Sequence, residues 1–256
     1  MQKRNYSTGQ GKLFVVGIGP GNPLDRTVRA ERTIRSSDVV AGYDRYIELC
    51  RDLLKDKKII SSGMTKERER CRKAIDAALD GKTVSLVSSG DPGIYGMAGL
   101  ALEMIREMDV RLEIEIVPGV SAAQAGAAAL GAPLMLDFAC VSLSDLLVAW
   151  EEIEKRLVSL AQADIVTALY NPKSKKRTWQ IEKVRKIFLE KRPENTPVGI
   201  VRDASLPQQS IVLTDLDNIL EAPMDMRSLV IIGNSRTAVI DPWMVTTRGY
   251  FESKSK

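Results

Sequence analysis

The chain has 256 residues, 44% apolar and 27% charged, with a formal net charge of +4. That length and balance suit one large or two modest globular domains, and no apolar run is long enough to span a bilayer. Histidine is absent, which removes Ser-His and Cys-His hydrolases and the His-ligated zinc hydrolases. Proton transfer is left to carboxylates, Lys, Tyr, Cys, water or the substrate.

Met1 to Gln10 is polar, lacks the apolar stretch of a signal peptide, and reads as a disordered tail (1–10). Lys12 to Ile18 then reads as a buried strand. Thr27 to Ser36 is a helix, Val39 to Ala41 a strand, and Tyr46 to Leu54 a helix with Tyr46, Cys50, Leu53 and Leu54 on one face. Ile59 and Ile60 mark a third strand. Lys66 to Asp80 is a charged helix with Gly81 suited to its C-terminal cap. Thr83 to Ser88 is a strand, Met97 to Met108 a helix, and Leu112 to Val117 a strand. This strand–helix alternation predicts a mostly parallel sheet covered by helices. Ser121 to Leu130 is a helix of small residues, ended by Gly131, Ala132 and Pro133. Beyond it come strand Phe138 to Ser142, helix Asp145 to Gln162, strand Ile165 to Tyr170 and helix Gln180 to Lys191. Runs at Val198 to Val201, Ser210 to Thr214 and Leu229 to Ile232 follow. These later strands lie close together with little helix between them, so the second sheet is expected to be mixed or antiparallel. The fold class is therefore α/β, with an N-terminal domain at 11–122 and a C-terminal domain at 123–256.

Glycine and proline cluster after the strands: Gly17, Gly19, Pro20 and Gly21, then Gly42, then Gly90, Pro92 and Gly93, then Pro118 and Gly119. In a parallel sheet these loops share one edge, and close-approach loops gathered there make a ligand crevice. GIGPG departs from a dinucleotide fingerprint, because Pro20 lacks a donor and no acidic residue ends the second strand, although Asp44 is near. A nicotinamide oxidoreductase is disfavoured on that ground. In SSGDPGIYG, Asp91 is a good helix N-cap and Pro92 suits a first helical turn, while Gly90 and Gly93 allow backbone contact with a ligand. In VPGVSAAQ, Ser121 and Gln124 form a capping box beside the same crevice. The loop after Tyr170 carries Lys173, Lys175, Lys176 and Arg177, either a solvated turn or a site for carboxylate or phosphate. Aromatic residues are only 5% of the chain, and no stacking platform for nucleic acid is visible. Cys50, Cys71 and Cys140 are far apart and odd in number with no CxxC, which argues against a disulfide framework and a thiolate zinc site and fits inert thiols in a reducing cytosol.

GIGPG, SSGDPGIYG and VPGVSAA, in that order, resemble the tetrapyrrole methylase family, the class III S-adenosylmethionine (SAM)-dependent methyltransferases. DFACVSLSDLL, ALYNPKSKKR, VGIVRDA, VIIGNSRT and MVTTRGY narrow the resemblance to the members that methylate precorrin-3B or cobalt-factor III at carbon 17 with ring contraction, on the way to cobalamin. The resemblance spans nearly the whole chain. It implies two α/β domains with the ligand cleft between them, a cytoplasmic homodimer, and an acidic tetrapyrrole as substrate. It implies that Pro20, Gly90, Asp91, Pro92, Tyr95, Ser121, Ala122 and Asn171 line the SAM site, with Gly233 and Asn234 approaching it. Lys173, Lys175, Lys176, Arg177, Arg202 and Arg236 would meet the substrate's acetate and propionate arms. Members often carry His where this chain has Leu136 before Asp137, so Asp44, Asp91, Asp137 and Tyr95 are the candidates for moving protons. No metal held by the protein itself is expected, nor a nucleic-acid or membrane partner. Methylation at another macrocycle carbon is the alternative within the family.

Overall fold

The structure is a computed structural model that describes residues 11–175 and 177–251; the expected tail at Met1 to Gln10 lies outside the described residues, as does Lys176. Two compact units divide between Ala122 and Ala123.

The N-terminal unit is one sheet of five strands: β1 (Lys12–Gly17), β2 (Val39–Tyr43), β3 (Lys58–Ser62), β4 (Thr83–Ser88) and β5 (Glu113–Val117). Their order is β3-β2-β4-β1-β5 and every neighbouring pair is parallel. β1 and β4 hold the centre, and Leu13, Val15, Val16, Val84, Leu86 and Val87 are buried. A strand covered on both faces reads as a nearly continuous apolar run, as KLFVVG and TVSLVS do. Four helices supply the cover: α1 (Val28–Ser36), α2 (Asp44–Leu49), α3 (Glu67–Leu79) and α4 (Ala98–Glu107). α3 and α4 bury Cys71, Ala74, Ile75, Ala78 and Ala101 against Leu13, Val15 and Leu86 on one face. On the other, Ala30 and Ile34 of α1 pack with Val16, Val40 and Val87. Thr27 caps α1, its hydroxyl accepting the Ala30 N–H at 3.0 Å. Gly81 follows the end of α3 with φ 86°, the left-handed turn that glycine adopts without penalty. The expected helix through Leu54 instead breaks at Cys50 and resumes as a short 3-10 turn, Arg51–Leu53.

The C-terminal unit takes up most of α5 (Ala122–Leu130), then β6 (Gly131–Ala132), β7 (Phe138–Ser142), α6 (Trp150–Gln162), β8 (Val166–Tyr170), α7 (Gln180–Leu189), β9 (Pro197–Arg202), β10 (Ser210–Asp215), β11 (Ser228–Ile232), β12 (Thr237–Ile240) and β13 (Trp243–Thr246). Its main sheet has the order β10-β9-β11-β8-β7. Only the β7–β8 pair is parallel; β8–β11, β11–β9 and β9–β10 are antiparallel. The sheet is therefore mixed, as the closely spaced strands implied. Period-two alternation divides its faces. Val230 and Ile232 face α6 and α7 with Leu157 and Phe188, while Leu229 and Ile231 face α5 with Ala123, Ala127 and Leu130. The small residues of α5 have a steric reason. A Cβ on Gly126 would stand 2.5 Å from Leu229 Cδ2, and one on Gly199 would overlap Leu130. The helix lies nearly on the sheet backbone.

Two expectations change. Gly131 and Ala132 do not merely end a helix. They form β6, which pairs in parallel with Met244 and Val245 of β13 in a separate three-stranded sheet. The helix expected from Asp145 begins only at Trp150. Leu143 and Asp145 are drawn off by bonds to the end of β8 and the start of α7: the Leu143 N–H donates to the Tyr170 carbonyl at 2.9 Å, and Gln180 Nε2 to Asp145 Oδ2 at 3.0 Å.

Candidate active site

In the N-terminal sheet β1 leads through α1 to β2, past β4, while β4 leads through α4 to β5, past β1. The two neighbours send their connections in opposite directions. The crevice beyond the carboxyl ends of β1 and β4 is thus a topological switch point, where open parallel sheets take their ligands. GIGPG and SSGDPG are the two loops at that point.

These loops meet backbone to backbone. Gly90 N–H donates to the Gly19 carbonyl at 2.8 Å and Gly19 N–H returns to Gly90 at 3.2 Å. Gly19 and Gly90 have φ 73° and 64°. A Cβ on Gly17 would lie 2.6 Å from the Gly90 carbonyl oxygen and 2.8 Å from the Gly119 nitrogen, and one on Gly119 would overlap the Gly90 carbonyl. Gly17 at the end of β1 and Gly119 in the loop after β5 therefore meet the backbone of Gly90, in the loop after β4, at distances no side chain permits. Asp91 joins the same contact. Its Oδ1 accepts the Gly93 N–H at 2.8 Å and its Oδ2 the Gly119 N–H at 3.1 Å. It does not cap a helix: α4 starts at Ala98 after Met97, and the carboxylate instead ties the β4 loop to the β5 loop. Pro92 and Ser121 are buried beside it, Pro20 and Ala122 are half-buried, and Tyr95 is 55% exposed with φ 54°. Asp44 opens α2 at the same edge and is exposed. The residues that follow GIGPG have a use that the sequence did not disclose. Pro23–Asp25 form a 3-10 turn capped by Asn22, and the buried Arg26 beyond it bonds Asp52 (3.0 and 3.2 Å) and the Leu49 carbonyl (3.1 Å). The glycine loop is thereby anchored to the end of α2.

In the C-terminal unit, strand direction sorts the candidates between two edges. Asn171 follows β8 with φ 53°. β7 runs parallel to β8, and Arg202 at the end of β9 pairs with Ser228 at the start of β11. Ser142, Asn171, Arg202 and Ser228 thus share one edge. Asp203 and Ser205, also in the left-handed region at φ 49° and 66°, turn the chain there, and Asp203 is held by Arg227 Nη1 at 2.9 Å. Left-handed non-glycine residues gathered at strand ends cost energy and mark constrained sites. Composition gave no sign of this group, since only the pairing register reveals it. β11 is antiparallel to β8, with Ile232 opposite Thr167, so Gly233, Asn234 and Arg236 emerge at the other edge, with Asp137 ahead of β7. The structure does not bring these four to Asn171. The Asn234 side chain is occupied there, donating to the Asp164 carbonyl at 3.0 Å and accepting from the Arg236 N–H at 3.0 Å, and the Gly233 carbonyl accepts from the buried Arg192.

The basic loop is not uniform. Lys175 is exposed and Lys173 half-buried, whereas Arg177 is only 8% exposed. Its guanidinium donates to Ser144 Oγ (3.2 Å) and the Asn171 carbonyl (3.4 Å). Arg202 pairs with Asp225 at 3.0 Å, and Arg236 is exposed. Burial pushes the Cys50 and Cys71 thiols up to about 11 and raises Cys140, which leaves them poor nucleophiles. Among the described residues no group of three His, Cys, Asp or Glu side chains is placed to hold a metal ion, and no helix is long and apolar enough to cross a membrane.

Comparison with known proteins adds to this geometry. A family model for tetrapyrrole (corrin/porphyrin) methylases matches residues 12–220. The chain is 46% identical over 245 residues to the cobalt-factor III methyltransferase of Priestia megaterium, spanning 94% of itself but 45% of that protein's length. It is 43% identical over 238 residues to a probable cobalt-factor III C(17)-methyltransferase of Salmonella typhimurium, covering 93% of itself and 99% of that protein. Among solved structures it resembles the methyltransferase CobJ with a TM-score of 0.85 and 33% identity, over 93% of this chain and all of that one.

Proposed function

We infer the activity from one premise: the chain belongs to the tetrapyrrole methylase family. It is a SAM-dependent methyltransferase that methylates carbon 17 of a tetrapyrrole, with ring contraction, in cobalamin biosynthesis. The substrate is cobalt-factor III, in keeping with the relatives named for that activity; metal-free precorrin-3B is the close alternative. The enzyme acts in the cytoplasm as a homodimer, and the exposed apolar residues Val239, Ile240 and Trp243 on the last hairpin are a surface that a second copy would cover.

The observation that carries the reading is the interlocked glycine edge at the switch point. A donor with an adenosine and an amino-acid tail needs backbone groups it can approach closely; Gly17 and Gly119 let the three loops close together, and Gly90 offers backbone there without a side chain. Pro20, Gly90, Asp91, Pro92, Tyr95, Ser121 and Ala122 hold SAM there, and the family resemblance assigns Asn171 to SAM as well. When bound, SAM supplies a methyl group on a sulfonium, an intrinsically good leaving group. The protein's own work is alignment and exclusion of water. Asp91 keeps two loops in register, Pro92 and Ser121 pack the wall, and Lys173 and Lys175 draw in the acidic arms of the macrocycle. Contraction also requires proton movement, for which Asp44 and Tyr95 stand exposed at the first edge.

Anaerobic incubation of the chain with SAM and either cobalt-factor III or precorrin-3B tests this. The expected result is a mass gain of one methyl on the cobalt-loaded substrate, placed at carbon 17 by NMR. Methylation at another carbon, or no SAM binding in a titration, would overturn it.

A further inference from the structure

We propose that Arg177 is a positioning residue, which fixes Asn171 and the loop after β7 rather than meeting the substrate. The proposal rests on the function inferred above and deepens it at the Asn171 edge.

Asn171 is gripped at both ends. Its Nδ2 donates to Ser142 Oγ at 3.0 Å, which sets the orientation of the amide. Its carbonyl accepts from Arg177 Nη2 at 3.4 Å. Between these contacts the backbone sits at φ 53°, in the left-handed region that Asn enters more readily than most L residues, and the two bonds hold it there. Arg177 is itself fixed. Its N–H donates to Ser174 Oγ at 3.0 Å, and its carbonyl accepts the Ser174 N–H at 2.8 Å, so Arg177 is tied to Ser174. Nη1 reaches across to Ser144 Oγ at 3.2 Å. Ser142 Oγ accepts the Ser144 N–H at 3.2 Å as well as the Asn171 amide. Asp145 and Gln180 add a further link at 3.0 Å. The Ser-Leu-Ser-Asp segment after β7 and the Asn171 loop after β8 are thereby clasped as one body, with Arg177 at its centre.

The chemistry of those contacts separates Arg177 from its neighbours. A guanidinium that is nine-tenths buried and bonded to neutral oxygens would have to give up these bonds to pair with a carboxylate arm. Lys175 is exposed and has no such cost. Five donors in a rigid fork also suit Arg, and not Lys, to bridging two loops at once. Loss of the clasp frees Asn171 to leave its left-handed conformation, so the effect falls on the ligand that Asn171 touches.

The test compares Arg177→Ala, Arg177→Lys, Ser144→Ala and Lys175→Ala in the full chain, by calorimetric SAM titration, thermal melting and steady-state kinetics with the tetrapyrrole. The proposal expects Arg177→Ala to raise the SAM Kd on the order of tenfold, the equivalent of one lost charged hydrogen bond. Arg177→Lys should recover part of that, Ser144→Ala should shift it in the same direction by less, and Lys175→Ala should raise the tetrapyrrole KM alone. If Arg177→Ala instead matches Lys175→Ala, with KM raised and SAM affinity intact, Arg177 is a substrate cation and the proposal fails. A lower melting temperature with unchanged SAM affinity makes Arg177 purely a fold residue and equally overturns it. Should Arg177→Ala not fold, Ser144→Ala and Arg177→Lys decide, and unchanged SAM affinity in both refutes the clasp. Failure of the wild-type chain to bind SAM would bring down the inferred function first, and this proposal with it.

Discussion

Replacing Asp91 removes the acceptor for two backbone donors at once, Gly93 N–H at 2.8 Å and Gly119 N–H at 3.1 Å. A hydrogen bond to a charged acceptor contributes about 1.5–3 kcal/mol. Asp91 is part-exposed, so water replaces some of this, and the lower end applies: about 3 kcal/mol for both bonds in Asp91→Ala. For a unit of this size that corresponds to a fall in Tm on the order of 10 °C. The loops after β4 and β5 then lose their tie, and SAM affinity should fall with Tm. Asp91→Asn keeps one acceptor oxygen and should lose roughly half as much. A residue that moved protons would behave differently. Its Asn variant would retain Tm and SAM affinity while kcat dropped by about 10²–10⁴. Thermal melts, SAM titration and single-turnover methyl transfer on both variants separate the outcomes. A strut predicts that Asp91→Asn keeps methyl transfer within about tenfold of wild type. A collapse of kcat at unchanged Tm and Kd would refute the strut, as would an Ala variant indistinguishable from wild type.

Gly119→Ala should damage the fold more than Gly90→Ala. The first places a Cβ on the Gly90 carbonyl, whereas the second meets nothing nearer than 3.6 Å and costs only the left-handed φ, about 1–2 kcal/mol; equal melting temperatures would contradict the interlock. Hydrogen bonds from Lys12 and Arg29 hold the Glu115 carboxyl below its ordinary 4.5; burial lowers Lys12, but its bonds to Glu113 and Glu115 and their charges together outweigh this and raise it above 10.5. The Glu115 contribution is therefore present above pH 4.5 and lost as pH falls through its lower folded value, while that of Lys12 is present below pH 10.5 and lost as pH rises past it. Glu115→Gln should accordingly destabilise by at most about 1 kcal/mol at pH 7 and by progressively less as pH falls below 4.5, as melts across that range would reveal. With thiols near 11, Cys50 and Cys71 should resist a disulfide reagent at pH 8 until denaturant is added, and rapid labelling of native protein would refute their burial. Chelator-washed protein free of tetrapyrrole should carry no stoichiometric metal by elemental analysis; a tightly held zinc or iron ion would contradict a chain with neither His nor a Cys cluster.

The three glycine loops could be read from sequence because glycine after an apolar run reports close backbone approach without knowledge of the partner. The role of Asp91 could not, since a good N-cap and a strut between loops share the same local pattern, and the N–H that decides belongs to Gly119, distant in sequence. Direction was the second blind spot. VIIGNS looks like another strand followed by a close-approach loop, yet β11 runs antiparallel and delivers that loop to the opposite edge from Asn171. Arg177 lay in a run of cations that reads as one charged patch; only the serine two residues past the end of β7 shows that it turns inward. β6 escaped notice because its partner, β13, lies at the far end of the unit.

The all-parallel order of the first sheet also governs how the chain comes off the ribosome. β1 has no hairpin partner. Lys12 pairs with Thr83 on one side and Glu113 on the other, so its first neighbour is made about 70 residues later. At about 5–20 residues per second that is roughly 4–14 s. Through that interval the apolar strand Leu13 to Val16 has both edges open, which invites pairing with other nascent chains. Loop closure over such separations is also slow. Yield from this first unit should therefore depend on chaperone supply and growth temperature more than its finished stability would imply.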